Sequence, residues 1–174
     1  MTHSGKSTFA QNLANEIPNL IVIDPDNHAE FINKHYRSLL PTAGANTLKN
    51  GITEFILNYA SNQSDRHIIF CGANRYQVHR RKLLDSMQQK GFKTVIVHFA
   101  IPIEILKARV QNSTRKTTIF RSASGFEEVL TRQISEVAAG AIIPPEPKEA
   151  VFFFEVNQSD QSNSVIRSIA KLIQ

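Results

Sequence analysis

The residues with the clearest chemical meaning open the chain, as Ser4-Gly5-Lys6-Ser7-Thr8. They match the second half of the pattern G-x-x-x-x-G-K-[ST], in which backbone N–H groups surround the phosphates of a nucleotide. In such a loop the lysine ammonium reaches the β- and γ-phosphates, and the hydroxyl that follows it holds Mg²⁺. The five residues therefore predict a site for ATP and Mg²⁺, with Lys6 on the phosphates and Ser7 on the metal ion.

The upstream edge of this loop pattern lies outside the sequence. Counting back from Gly5 puts the first glycine of the pattern one residue before Met1. The apolar strand that normally leads into such a loop would precede that glycine. We expect either a fragment or mis-started version of a longer protein, or a remnant of a nucleotide-binding domain.

Two acids, Asp24 and Asp26, follow the apolar run at residues 20–23. Open α/β sheets bind their ligands at the carboxyl ends of strands. An aspartate there can accept the proton of a hydroxyl that attacks a γ-phosphate, or it can order metal-bound water. The alternative is that residues 24–27 form only a turn and a helix cap. Both can hold, with one acid capping and the other acting, and we predict Asp26 as the catalytic base.

Basic side chains lie in and around the polar stretch at residues 111–124, and they include Arg109, Arg115, Lys116 and Arg121. Guanidinium groups that close over a γ-phosphoryl group stabilise its charge, and a mobile lid excludes water. We therefore predict catalytic roles for Arg109 and Arg115. The alternative is a solvated basic loop.

A second basic cluster stands near the start of a predicted helix and comprises Arg75, His79, Arg80, Arg81 and Lys82. We interpret it as a solvated helix face, because runs of charge usually are. Binding of a substrate phosphate is the alternative.

Size and composition indicate one globular domain over residues 1–174. The 20 Lys and Arg against 15 Asp and Glu give a net charge of +5, which suits anionic ligands without identifying one. The single cysteine excludes an internal disulfide and fits a reducing compartment. No apolar run approaches the roughly 20 residues that span a bilayer, and no signal-peptide pattern is present. We predict a cytoplasmic protein with no membrane partner.

Helical periodicity alternates with short apolar runs, which predicts an α/β fold with a largely parallel sheet. The predicted strands are 20–23, 67–71, 94–99 and 151–156. The predicted helices are the segment from the loop to residue 17, then 29–40, 47–62, 77–90, 103–110, 126–137 and 165–173. A fifth strand before Met1 would complete the usual sheet.

Taken together, these residues resemble the P-loop kinase family that includes phage-type polynucleotide kinases and zeta toxins. Asp26, in Ile23-Asp24-Pro25-Asp26, matches the family's general base. Cys71-Gly72-Ala73-Asn74 followed by Arg80-Arg81 is similar to its asparagine-containing turn and paired arginines. The segment 104–109 with Arg115 resembles its lid, and Pro144-Pro145-Glu146-Pro147 resembles the link to its last strand.

The resemblance implies a P-loop NTPase-like three-layer sandwich with a mostly parallel central sheet, its first strand missing, and a basic lid at about 111–124. It also implies transfer of the γ-phosphoryl group of ATP to a hydroxyl of a small molecule or nucleotide. Cys71-Gly72 replaces the acid that the family carries after its next strand. Ala29 stands where an arginine often follows the base, which disfavours a nucleic-acid 5′ end as acceptor. The alternatives are a non-catalytic or degenerate ATP-binding module and a polynucleotide 5′-hydroxyl kinase.

Overall fold

The computed structural model describes residues 1–63 and 65–173, and helices alternate with strands along the chain. The strands are β1 Leu20–Ile23, β2 His67–Phe70, β3 Val95–Phe99 and β4 Phe152–Val156. The helices are α1 Lys6–Glu16, α2 Pro25–His35, α3 Thr47–Ser61, α4 Gln77–Gln89, α5 Ile103–Gln111, α6 Phe126–Ala138 and α7 Gln161–Ile173. This order confirms the predicted α/β fold.

The strands form two parallel pairs. β1 pairs with β2 in the register Leu20↔His67 to Ile23↔Phe70. β3 pairs with β4 in the register Val95↔Phe152 to Phe99↔Val156. Across the described ranges no ladder joins β2 to β3, so the predicted central sheet is present as two two-stranded sheets.

Two apolar clusters bury the faces of these elements. The larger cluster joins α1, α5, α6 and α7 to β4, with Leu106 and Val156 almost completely buried in it. The smaller cluster packs Ile23 of β1 against Leu57 and Ala60 of α3. Because α1, α3, α5, α6 and α7 bury apolar residues together with β1 or β4, this packing positions the loops at the ends of those strands.

Helix α2 begins four residues earlier than the periodicity predicts and ends at His35 rather than at residue 40. Its start is set by Asp24, whose carboxylate accepts a hydrogen bond of 2.9 Å from the Asp26 amide. Pro25 occupies the first turn, where its missing N–H costs nothing. A 3₁₀ turn, Arg37–Leu39, follows the helix.

The stretch 111–124, which we call the lid, contains a 3₁₀ turn at Thr117–Ile119. This turn packs on α2, where the Asn33 Nδ2 donates a hydrogen bond of 2.6 Å to the Thr118 carbonyl. Ile119 and Phe120 are half-buried against the larger apolar cluster. The lid therefore contacts both α2 and the larger apolar cluster, although its sequence has no helical periodicity.

Within the described part of the chain, no helix has the length and apolar character needed to cross a membrane.

Candidate functional site

A cavity of about 1210 Å³ lies where the strands end, and we call it the first cavity. All eight residues that the sequence predicts for the site line this cavity: Ser4, Gly5, Lys6, Ser7, Thr8, Asp26, Arg109 and Arg115. They come from the loop before α1, the first turns of α1 and α2, the end of α5 and the lid. The sequence therefore identified residues that the fold brings to one place.

Gly5 shapes the loop at the start of α1. Its φ of +95° lies in the left-handed region, which a residue without a Cβ adopts at little cost. No side chain caps this end of the helix and its first turn carries no acid. The first amides of α1, from Lys6 onward, therefore lack intrahelical partners and present the positive end of the helix dipole to the cavity. Such an end binds phosphate.

The Lys6 ammonium is folded onto its own loop. Its Nζ donates to the Met1 carbonyl at 2.6 Å and to the Ser4 Oγ at 2.8 Å. An ammonium has three donors, so one N–H stays available for a ligand. Burial lowers the pKa of Lys6, and the charges of Asp26 and Asp24 act in the opposite direction. An anion in the cavity would complete the hydrogen bonding of this cation.

Ser7 lies beside a carboxylate. Its hydroxyl donates a hydrogen bond of 3.0 Å to the Oδ2 of Asp24, which is only 7% exposed. No group of three or more His, Cys, Asp or Glu side chains that could hold a metal ion occurs in the described ranges. Mg²⁺ in nucleotide sites uses only one or two protein oxygens, together with phosphates and water. The Ser7 and Asp24 oxygens fit such a site.

Asp26 faces the same cavity from the first turn of α2. Its pKa is raised, first by burial and then by the charge of Asp24. Arg115 acts against this shift, since its Nη2 lies 3.8 Å from the Asp26 Oδ2 and its charge lowers the pKa. Asp26 is therefore a stronger base than an ordinary aspartate, and it lies close to a cation.

The two predicted arginines differ in their contacts. The Arg109 Nη1 donates to the His3 carbonyl at 3.0 Å and its Nη2 donates to the Ser159 Oγ at 2.5 Å, so it supports the loop before α1. The Arg115 guanidinium lies over the Phe126 ring, 5.1 Å from its centroid, and its side chain is 44% exposed. Arg115 is thus the more available of the two cations.

For Arg80, the prediction of a solvated face is wrong. This side chain is 5% exposed, and its Nε and Nη2 donate to the Glu149 carboxylate at 2.7 and 2.9 Å. Arg75 likewise pairs with Glu136. Both partners lie about 60 residues or more away in sequence, so local periodicity could not reveal them. His79, Arg81 and Lys82 are exposed, as the sequence predicts.

Cys71, which replaces the expected acid, is buried with its Sγ 3.7 Å from the Ser7 Oγ. Burial raises the pKa of its thiol to about 11, so the group is uncharged at neutral pH. The carboxylate at Ser7 is instead Asp24, which sequence reasoning treated mainly as a cap. The sequence feature that points to Asp24 is the pair of acids, Asp24 and Asp26, directly after a buried strand.

Comparison with known families adds one finding. The AAA_33 family model, described as an AAA domain, matches residues 3–138, more than three quarters of the chain. The match includes the loop, the acids after β1 and the lid. No curated protein matches the chain. Because the family model covers most of the sequence, the chain belongs to this AAA-domain family and is a P-loop nucleotide-binding domain.

Proposed function

We propose that this chain is an ATP-dependent phosphotransferase that moves the γ-phosphoryl group to a hydroxyl of a small molecule or nucleotide. One observation carries the proposal: the carboxylate of Asp26, whose pKa is raised, lines the same cavity as the loop residues Lys6 and Ser7. Perturbed pKa values cluster at functional sites, and the raised pKa of Asp26 occurs beside the phosphate loop, which supports a role for this carboxylate in catalysis.

The nucleotide end of the proposed site is the opening of α1. Its free amides and the Lys6 ammonium would hold the β- and γ-phosphate oxygens. The Ser7 hydroxyl and the Asp24 carboxylate would hold Mg²⁺, directly or through water. When bound, Mg²⁺ neutralises charge that develops on the phosphates.

The acceptor end is Asp26. The acceptor oxygen forms a bond to the γ-phosphorus while the bond from that phosphorus to the β–γ bridging oxygen breaks, and ADP leaves. The proton of the attacking hydroxyl passes to the Asp26 carboxylate. The raised pKa of Asp26 favours this transfer, because it brings the base closer to the operating pH.

Arg115 and Arg109 have different roles in this proposal. Arg115, held over the Phe126 ring and beside Asp26, would stabilise the equatorial oxygens of the group in transfer. Arg109 would keep the loop in place through the His3 carbonyl, and its charge adds to the positive field of the cavity.

The second candidate is an ATP-binding module without catalysis. The observation that favours it is the uncharged Cys71 thiol where the kinase pattern has an acid, directly beside Ser7. In that case the chain would bind ATP with Mg²⁺ and leave it intact.

One experiment separates the two candidates. The protein is incubated with ATP, Mg²⁺ and a panel of nucleosides, sugars and sugar alcohols, and ADP and phosphorylated acceptors are measured by mass spectrometry. Isothermal titration with a non-hydrolysable ATP analogue is run beside it. The phosphotransferase predicts ADP that forms only with a particular acceptor and is lost in Asp26→Asn. The module predicts binding without acceptor-dependent ADP.

A further inference from the structure

His3 belongs to the phosphate loop, and its imidazole reaches the lid. The Nε2 of His3 lies 2.7 Å from the Ser113 Oγ, and the Nδ1 lies 3.0 Å from the Thr2 Oγ1. Burial lowers the pKa of His3, and nearby cations lower it further, so the ring is neutral at neutral pH. A neutral imidazole has one donor and one acceptor, which two hydroxyl groups can satisfy. His3 therefore forms a hydrogen bond that joins the loop to the lid.

Ser113 carries this contact to Arg115. The Ser113 Oγ accepts a hydrogen bond of 3.2 Å from the Arg115 amide. A hydroxyl group has two acceptor lone pairs and one donor, so the same oxygen can bond to His3 and to Arg115. The side chain of His3 therefore holds the residue to which the Arg115 backbone is bound.

Phe126 provides a second route between His3 and Arg115. The His3 ring meets the Phe126 ring edge to face, with ring centroids 4.6 Å apart and an interplanar angle of 79°. The central carbon of the Arg115 guanidinium lies 5.1 Å from the centroid of the same ring. Phe126 is 7% exposed and belongs to the larger apolar cluster, so close packing restricts its ring. His3 and Arg115 thus contact one ring that the core holds in place.

The backbone of His3 is held in an unusual conformation. Its φ of +56° lies in the left-handed region, which is uncommon outside glycine. Its carbonyl accepts the hydrogen bond from Arg109, so the backbone of this residue contacts one arginine while its ring contacts the neighbours of the other. Unusual backbone conformations persist where surrounding contacts hold them, and they cluster at functional sites.

We propose that His3 is a positioning residue, which holds Arg115 of the lid beside Asp26 through Ser113 and Phe126. The loop and the lid are then one unit, and Arg115 is in place before a nucleotide binds. A group that is already ordered loses less freedom when the ligand arrives.

The catalytic consequence of this arrangement rests on the proposed function. If Arg115 stabilises the group in transfer, its position decides how well it neutralises the developing charge. A displacement of about 1 Å can cost about 10²-fold in rate. An interaction that is made mainly in the transition state affects kcat more than it affects nucleotide binding.

Two variants separate the two routes. Ser113→Ala removes the hydroxyl and leaves the imidazole on Phe126, whereas His3→Asn removes both contacts. Asparagine adopts the left-handed conformation readily, so the carbonyl that accepts from Arg109 stays in place. Thr114→Ala, at an exposed lid position next to Ser113, is the matched control. Unfolding midpoints of all the variants are measured to detect any general loss of stability.

The position of Arg115 is measured by NMR without nucleotide, and Arg115→Gln identifies its Nε–H resonance. The ring current of Phe126 shifts the resonances of a group above its face upfield. Wild-type protein and Thr114→Ala should both show this shift, together with cross-relaxation between Arg115 and the Phe126 ring. Both signals should be lost in His3→Asn and weakened in Ser113→Ala. An unchanged Arg115 resonance in His3→Asn would overturn the proposal, even if the unfolding midpoint fell.

Kinetics with the acceptor found in the panel provide the second readout. His3→Asn should lower kcat by up to about 10²-fold, and the dissociation constant of a non-hydrolysable ATP analogue should change little. In the Arg115→Gln background, His3→Asn should lower kcat no further, and a further loss there would overturn the proposal. Absence of phosphotransfer in wild-type protein would contradict the proposed function instead, and the NMR comparison would still decide the role of His3.

Discussion

The Ser7 hydroxyl donates a hydrogen bond of 3.0 Å to one oxygen of Asp24, and the other oxygen of that carboxylate accepts the Asp26 amide. One buried side chain therefore connects the phosphate loop to the first turn of α2. Because Asp24 directly follows β1 and caps α2, it fixes where Asp26 lies relative to the nucleotide end of the site.

Asp24→Asn should raise the Mg²⁺ concentration needed for half-maximal nucleotide binding by about 10–100-fold, the usual effect of removing an outer-shell partner of a metal ion. The fold should survive, because asparagine caps a helix as well as aspartate does. Nucleotide titrations at several Mg²⁺ concentrations measure the effect, and titration without Mg²⁺ is the control. An unchanged Mg²⁺ dependence would place the metal ion away from Asp24.

Asp26→Asn should lower kcat by about 10²–10⁴-fold, the contribution of a positioned general base. The nucleotide dissociation constant should change little, because the carboxylate acts on the acceptor rather than on the phosphate loop. Steady-state kinetics with the acceptor found in the panel, together with a binding titration, measure both quantities. A loss of less than about tenfold would exclude the general-base role.

The acidic limb of the pH profile of kcat/KM should report Asp26, because only its ionised form accepts a proton. Its pKa is raised by burial and by Asp24 and lowered by Arg115. Arg115→Gln should therefore move the limb to higher pH, and Asp24→Asn should move it to lower pH. Shifts in the same direction for both variants would contradict the assignment.

Arg80→Met should destabilise the fold by about 3–5 kcal/mol, because it leaves Glu149 as an unpaired buried charge. The guanidinium and carboxylate are 6% and 1% exposed, so water screens them little. Lys82→Met, at an exposed site of the same helix, should change stability by no more than about 0.5 kcal/mol. Guanidinium unfolding midpoints measure both variants. Equal midpoints would show that the pair contributes nothing.

The same pair should make stability depend on pH. The hydrogen bonds from Arg80 lower the pKa of Glu149 below its usual value. The ionised Glu149 therefore stabilises the folded protein fully at any pH above the pKa that this carboxyl has in the unfolded chain. That stabilisation is lost as pH falls through the lowered value. Wild-type protein should therefore exceed Glu149→Gln in stability at neutral pH, and the difference should shrink in acid. A constant difference down to low pH would indicate a packing effect alone.

The helices and strands could be predicted from the sequence, because apolar residues repeat every 3.6 positions in a helix and form a short run in a buried strand. Both patterns depend only on residues that are close in the sequence. The start of α2 was missed because a cap, Asp24, and not the apolar face, decides where that helix begins. The site was predictable as a set of residues, because the loop motif and the ends of strands share one edge of a sheet.

Contacts between distant segments could not be read from the sequence. Arg80 and Glu149, which form an ion pair, are 69 residues apart in the sequence. Arg109 donates a hydrogen bond to the carbonyl of His3, which is 106 residues away. Sequence reasoning therefore grouped the basic side chains correctly by position and misassigned the surroundings of Arg80. The division of the sheet into two pairs also became visible only in three dimensions.

The most direct measurement of the central claim is binding of a non-hydrolysable ATP analogue with Mg²⁺, followed through the backbone amide resonances of Gly5, Lys6 and Ser7. Lys6→Met is the matched variant, and its unfolding midpoint is measured beside the titration, because the Lys6 ammonium also donates to the Met1 carbonyl and the Ser4 Oγ. We predict that the analogue shifts all three resonances and binds Lys6→Met at least about tenfold more weakly, as loss of a charged hydrogen bond implies. Unmoved resonances, or equal affinity in the variant, would contradict the account.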